Sequence, residues 1–453
     1  MIRSVVTAVS DRWESALVTT LERGTDARIA RRCPDLADLL AVAGSGLTEV
    51  ALVSADLRSL DRTALDRLRE CSVAVIGIYP PGDDQAERHL RQLGISTVIP
   101  ADASAEVVQQ ALDGLDLPDV DGDHRPDADV TWSGIADRAM HRDHADRDHA
   151  EADHATADHA DDLHGDHADH ASDEPQDSVG TIIAVWGPAG APGRSVVALN
   201  LASELARLGQ PTVLVDADTY GGCIAQSLSL LDEAPGLAAA TRAADQGTLD
   251  LAALARLAPE VSAGLRVLTG IPKAERWPEL RAAALEHVLS LTRRLARFTV
   301  IDCGFSLEDD EELSYDTLAP RRNAATLTSL AVADQVLAIG AGDPIGLQRL
   351  VRGLQELGTV ASPVPTVVIN KVRSSAVGAR PGPRIRDALT RFAGVEDPRF
   401  IPDDPATLDG ALLAGQSLAE AAPDSDVRKA LVALATEVCG LPAPSGGRRR
   451  RLA

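Results

Sequence analysis

Apolar residues fall in short runs, and amphipathic stretches of helical length separate them. In the first hundred residues the runs are SVVTAV, ARIARR, EVALVSA, SVAVIGIY and STVIPA, each the length of a single strand. The stretches around Arg12–Glu22, Pro34–Ala43, Thr63–Glu70 and Gln85–Leu93 read as the helices between them. Strands joined by helices form parallel sheets covered on both faces, because a parallel pair needs a long crossover. Five such units predict a flavodoxin-like α/β domain over 1–114.

The pattern is then lost. From 115 to 179 the chain reads HRDHADRDHAEADHATADHADDLHGDHADHASDE and similar sequence, with nine of the eleven histidines. Between Asp116 and Asp177 there are 20 acidic residues and 4 arginines, a net of −16 out of the −24 carried by the whole chain. A segment this charged and this poor in apolar groups is expected to be a disordered linker. His144, His149, His154, His159 and His164 recur every five residues. On a helix five residues turn about 500°, leaving successive imidazoles roughly 140° apart and on no common face. Weak, adventitious zinc or nickel binding is expected there, not a defined metal site.

Periodicity returns at 180 and continues to 440. GTIIAVWG is a fully apolar strand, PAGAPGRS a loop of small residues, and VVALNLASELARLG a helix closed by Gly209. In a strand, glycine loop and helix of this kind, backbone N–H groups and the helix N-terminus converge on an anion. The expected phosphate cradle is Gly190, Ala191, Pro192, Gly193, Arg194 and Ser195, a partial match to GxxxxGK[ST], with Pro188 at the first glycine and Arg194 at the lysine. Three further strands, PTVLVDAD, RFTVIDCG and PTVVINKVR, each end in a polar group: Asp216 and Asp218, Asp302, and Asn370. Carboxyl ends of parallel strands are where open α/β sheets bind ligands.

With the linker set aside, the folded parts are only mildly acidic, and they carry no basic stripe or DNA-reading motif. Aromatics make up 2% of the chain, so its cores must be built of Leu, Val, Ile and Ala. Lysine occurs only at Lys273, Lys371 and Lys429. Five cysteines at unpaired spacings fit a reducing compartment. No run reaches the ~18 apolar residues of a membrane span, and a cytoplasmic protein is expected. The tail, 441–453, ends in GGRRRRLA. Arginines there contribute about 1 kcal/mol each near anionic lipid, so peripheral membrane contact is one reading of the tail and a solvated end the other.

The blocks from 180 to 440, in this order, resemble the ParA/MinD superfamily of deviant-Walker P-loop ATPases. ADQVLAIGAGDPIGL and FIPDDPATLDGALLAGQSLAEA are similar to further segments of that family. The resemblance implies ATP and Mg2+ as cofactors, and a homodimer. It implies that residues 190–195 hold the phosphates, that Ser195 and Asp302 serve the metal, that Asp216 or Asp218 orients or deprotonates the attacking water, and that Asn370 contacts the adenine. Two departures stand out: the family's signature lysine aligns with Ala189, and its Walker lysine with Arg194. Arginine keeps the charge but is a planar fork, so weakened nucleotide binding and slow hydrolysis are expected.

The N-terminal order resembles a response-regulator receiver, with Asp56 near the phospho-acceptor position. Ser10-Asp11 stands where a receiver has an acidic pair, and Pro100-Ala101 where it has a lysine. A pseudo-receiver used for docking is expected. A degenerate receiver before such an ATPase resembles the CpaE/TadZ subgroup, whose members position Flp-pilus (Tad) secretion or septum-site machinery, at a pole or on the inner face of the membrane. Two other readings stay open: a nonenzymatic pseudo-ATPase scaffold, and a chromosome-partitioning ATPase, the latter disfavoured by the acidic charge.

Overall fold

The segment Val50–Ser54 is apolar and buried on both faces, as the central strand of a parallel sheet must be. It is β3 of a five-stranded sheet, with β1 (Arg3–Ala8), β2 (Ala27–Arg32), β4 (Ala74–Tyr79) and β5 (Thr97–Pro100). The order is β2-β1-β3-β4-β5, with every pairing parallel, which is the flavodoxin-like order. ARIARR forms the β2 edge, its arginines mostly exposed, and charge on an edge strand discourages pairing with another chain. Helices α1 (Asp11–Gly24), α2 (Leu36–Gly44), α3 (Arg62–Glu70) and α4 (Asp84–Leu93) match the predicted stretches. Asp35, Asp61 and Asp83 accept the first free N–H groups of α2, α3 and α4. A fifth helix, α5 (Ala105–Asp113), was not predicted; it buries Val108, Ala111 and Leu112.

This computed structural model describes residues 3–46, 48–58, 60–115, 179–190, 192–230, 235–309 and 320–440. The linker expected at 115–179 lies outside the described residues but for its two ends, as do Ala191 and the tail 441–453.

The second sheet has eight strands: β6 (Thr181–Trp186), β7 (Thr212–Ala217), β8 (Glu260–Ser262), β9 (Leu265–Leu268), β10 (Phe298–Cys303), β11 (Gln335–Ala341), β12 (Thr366–Val372) and β13 (Arg399–Pro402). Their order is β13-β12-β11-β6-β10-β7-β9-β8. Only the β8–β9 hairpin at one edge is antiparallel. From β6 the chain leads to β7 on one side, and from β11 to β12 on the other. The order therefore reverses beside β6, and a crevice opens at the carboxyl ends there.

One apolar cluster fills each face of this sheet. The helix that follows β6, α6 (Arg194–Arg207), has every residue from Val197 to Ala206 buried. It lies between the sheet and the helix Asp426–Val438, where buried Glu204 receives Arg428 at 2.7 Å. The two sheets touch through α3: Asp61 pairs with Arg281 at 2.8 Å, and Arg62 Nε donates to the Ala244 carbonyl at 3.2 Å. Beside this contact, burial and the Asp61 charge push the Asp245 carboxyl up to about 6. Among the described residues no helix is long and apolar enough to cross a membrane.

Candidate functional site

Strand β6 ends at Trp186, which is fully buried and whose indole N–H donates to the Phe305 carbonyl at 3.2 Å. The chain turns there and re-enters as α6 at Arg194, so the loop 187–193 faces the crevice with a helix N-terminus beneath it. Gly193 caps that helix at φ +96, and a Cβ on it would stand 2.3 Å from Asn370 Nδ2. Both facts demand glycine. Gly193→Ala is expected to cost about 1–3 kcal/mol through backbone strain alone, read as a lower urea midpoint. A midpoint equal to wild type would mean that the loop relaxes freely.

Strands β6, β10 and β7 lie side by side in parallel register, with Asp302 of β10 directly opposite Asp216 of β7. The three predicted carboxylates therefore gather behind the loop, yet their environments differ. Asp216 is 1% exposed and accepts from Ile224 N at 3.0 Å and Asp218 N at 3.3 Å. Burial pushes its carboxyl up to about 6 against those bonds, with the Asp218 charge adding to the rise. Asp218 Oδ1 accepts from Tyr220 N and Gly221 N, and Oδ2 pairs with Arg194 at 3.1 Å.

Asp302 is 0% exposed, and neither carboxylate oxygen meets a hydrogen-bond donor among the described residues. Burial and the facing Asp216 charge hold its carboxyl well above the usual carboxylate range; the Ser195 hydroxyl and Arg194 pull the other way. A buried, unpartnered carboxylate is costly unless something else neutralises it. A hydroxyl, a carboxylate and the oxygens of a bound phosphate are the donor set of Mg2+, which keeps several waters and takes few protein ligands. The residues present fit that ion.

Arg194 does not project into an open cradle. Its Nε donates to the Cys303 carbonyl at 3.1 Å, Nη1 to the Gly187 and Pro188 carbonyls at 3.1 and 3.3 Å, and Nη2 to Asp218. Of the five N–H groups of a guanidinium, one on Nη2 is left. The fork ties the phosphate loop to the ends of β10 and β7.

Asn370, at the end of β12, is 3% exposed and donates from Nδ2 to the Pro192 carbonyl at 2.9 Å. Its amide braces the loop from the far side. Lys371 follows at φ +57, where the β12–β13 register is irregular. Beyond the loop lies a cavity of about 1100 Å3, bordered by Gly190, Ser195, Cys223, Lys371 and Asp403, ample for a nucleotide. The structure thus brings Gly190, Gly193, Arg194, Ser195, Asp216, Asp218, Asp302 and Asn370 to one end of one sheet. Arg349, not singled out from the sequence, also lies against the loop, at Gly190. No sequence signal points to it, since it stands mid-helix among ordinary surface positions.

The loop, helix and strand-end carboxylates define a P-loop NTPase fold. No family profile and no curated protein matches the sequence. Solved structures with a similar chain path include a ParA family ATPase from Chlorobium tepidum, at 19% identity and TM-score 0.48, spanning 56% of this chain and 98% of that one. The septum site-determining protein MinD with Mg-ADP from Pyrococcus horikoshii matches at 18% identity and TM-score 0.45, over 57% and 96%. A variant of McdA from Cyanothece in complex with ATP matches at 15% and 0.46, over 59% and 99%.

Proposed function

We propose that the chain is a cytoplasmic, ATP-binding spatial regulator of the ParA/MinD kind, a homodimer whose association depends on nucleotide. The observation that carries this reading is Asp302: a fully buried carboxylate without a donor, beside Ser195, at the foot of a glycine loop. In this reading the backbone of residues 190–195 and the N-terminus of α6 hold the phosphates. Ser195 and Asp302 hold Mg2+, which when bound would offset negative charge on the phosphates.

Asp216 suits the handling of the attacking water better than Asp218. Its carboxyl is poised near 6 and faces Asp302, whereas Asp218 is held by Arg194. Catalytic bases work best when their pKa lies near the operating pH. The N-terminal sheet serves as a pseudo-receiver that engages the machine being positioned. The finer form of the proposal is the CpaE/TadZ-like one, in which that machine is a Flp-pilus (Tad) or septum-site assembly. The linker at 115–179 tethers the two halves, and the tail offers peripheral contact with anionic lipid.

Calorimetric titration of the full-length chain tests the proposal. Mg-ATP is expected to bind, and EDTA to weaken the binding by about tenfold or more. Absence of binding at millimolar Mg-ATP would sink the reading. A second reading, a nonenzymatic scaffold, is favoured by one observation: the Arg194 fork is engaged by protein carbonyls and Asp218. Binding without turnover would select it.

A further inference from the structure

We propose that Arg349, on the helix Pro344–Leu357, is the cation that meets the terminal phosphate of the bound nucleotide, acting within its own chain. The inference rests on the nucleotide-binding reading above and deepens it. A triphosphate needs more positive charge than a helix N-terminus supplies, and the loop residue Ala189 offers none. Arg194 is the obvious donor, but the loop carbonyls and Asp218 hold it. Arg373, which borders the cavity together with Lys371, is paired with Asp403 at 3.2 Å.

Arg349 is differently placed. A Cβ built on Gly190 would stand 2.0 Å from Arg349 Nη1, 3.1 Å from Cζ and 3.4 Å from Cδ. The whole outer arm therefore lies along the backbone of a loop residue that itself borders the nucleotide cavity. Gly190 has φ +112, so both its conformation and the arginine against it exclude a side chain. Among the described residues the guanidinium has no hydrogen-bond acceptor and no ion-pair partner, although Arg349 is otherwise set in a rigid frame. Leu350, next in the chain, is fully buried. One turn on, Gly353 lies against Trp186 and Pro188, which a Cβ would meet at 3.0 and 3.2 Å. The helix is thus seated on the base of the phosphate loop, and the arginine lines a neighbouring cavity with Pro188 and Ala189, from which its long arm has to cross the loop edge at Gly190 to meet a phosphate. A planar, permanently charged fork is well matched to phosphate oxygens.

The test compares Mg-ATP and Mg-ADP affinities of the full-length chain carrying Arg349→Ala or Arg349→Lys. The alanine variant is expected to bind Mg-ATP about tenfold more weakly or worse, with Mg-ADP changed by less than about threefold, and the lysine variant, which keeps the charge but not the fork, to recover part of the loss. Arg349 is exposed, so thermal unfolding of the nucleotide-free variants should match wild type. If Arg349→Ala leaves ATP affinity intact, or weakens ATP and ADP equally, the inference falls while nucleotide binding by the chain stands. If wild type binds neither nucleotide, the proposed function itself fails.

Discussion

Arg194→Ala is expected to destabilise the nucleotide-free protein by about 3–5 kcal/mol, the usual result of removing one partner from a buried ion pair. The pair qualifies: the Arg194 and Asp218 side chains are 11% and 5% exposed. Truncation leaves the Asp218 charge in place and takes the donor from the Cys303, Gly187 and Pro188 carbonyls. Chemical denaturation is the measurement, and a loss below about 1 kcal/mol, the scale of a surface pair, would show that water substitutes for the fork. Arg194→Lys separates the structural role from the ligand role. An ammonium cannot span three carbonyls and a carboxylate as a planar fork does, so some stability is lost. The compact charge is left able to turn to a phosphate, and Mg-ATP affinity should rise. A lysine variant that loses both stability and affinity would refute the view that the arginine withholds its charge from the ligand.

The second large effect is one of opposite sign. Asp302→Asn is expected to raise the stability of the nucleotide-free protein by about 1–3 kcal/mol at alkaline pH, by removing a buried carboxyl whose ionisation burial and the facing Asp216 charge oppose. The pH dependence has a definite direction. The folded carboxyl holds its proton more tightly than the unfolded one. Stability from this group is therefore greatest below the unfolded value near 3.9 and is lost as pH rises towards the folded value. The asparagine variant should lack that component of the slope. Mg-ATP should raise the Tm of wild type and not of Asp302→Asn. Equal stabilisation of both by Mg-ATP would remove Asp302 from the metal site.

Local features of this site were legible in the chain, and long-range ones were not. The apolar run ending in Trp186, the small-residue loop and the helix closed by Gly209 are consecutive, so their chemistry can be read directly. The carboxylates at the ends of β7 and β10 could be recognised because strands rich in Val and Ile stop abruptly at them. What the sequence left open is which strands are neighbours. The Arg194 fork meets the Cys303 carbonyl across 109 residues, and Asn370 meets Pro192 across 178. Neither separation has a periodic signature. Asp216 and Asp218, two residues apart on one strand end, could not be told apart by spacing. Their partners distinguish them: backbone N–H groups for Asp216, a guanidinium for one oxygen of Asp218. The Arg349 contact was hidden for the same reason, since only the pairing of β11 with β6 brings its helix to the loop.

The direct pairing of Asp302 with Asp216 has a consequence for how the protein comes into being. The strands that carry the cradle and the two carboxylates are not sequential neighbours in the sheet: β10, made last, inserts between β6 and β7. Such non-local closure is slow, because chain entropy is lost before the contacts form. A ribosome-bound chain that stops short of residue 298 has the loop and the α6 helix but only half of the carboxylate pair. The carboxylate pair is therefore assembled in one step, with the threading of a single strand, while Asn370, which braces the loop, arrives only with β12.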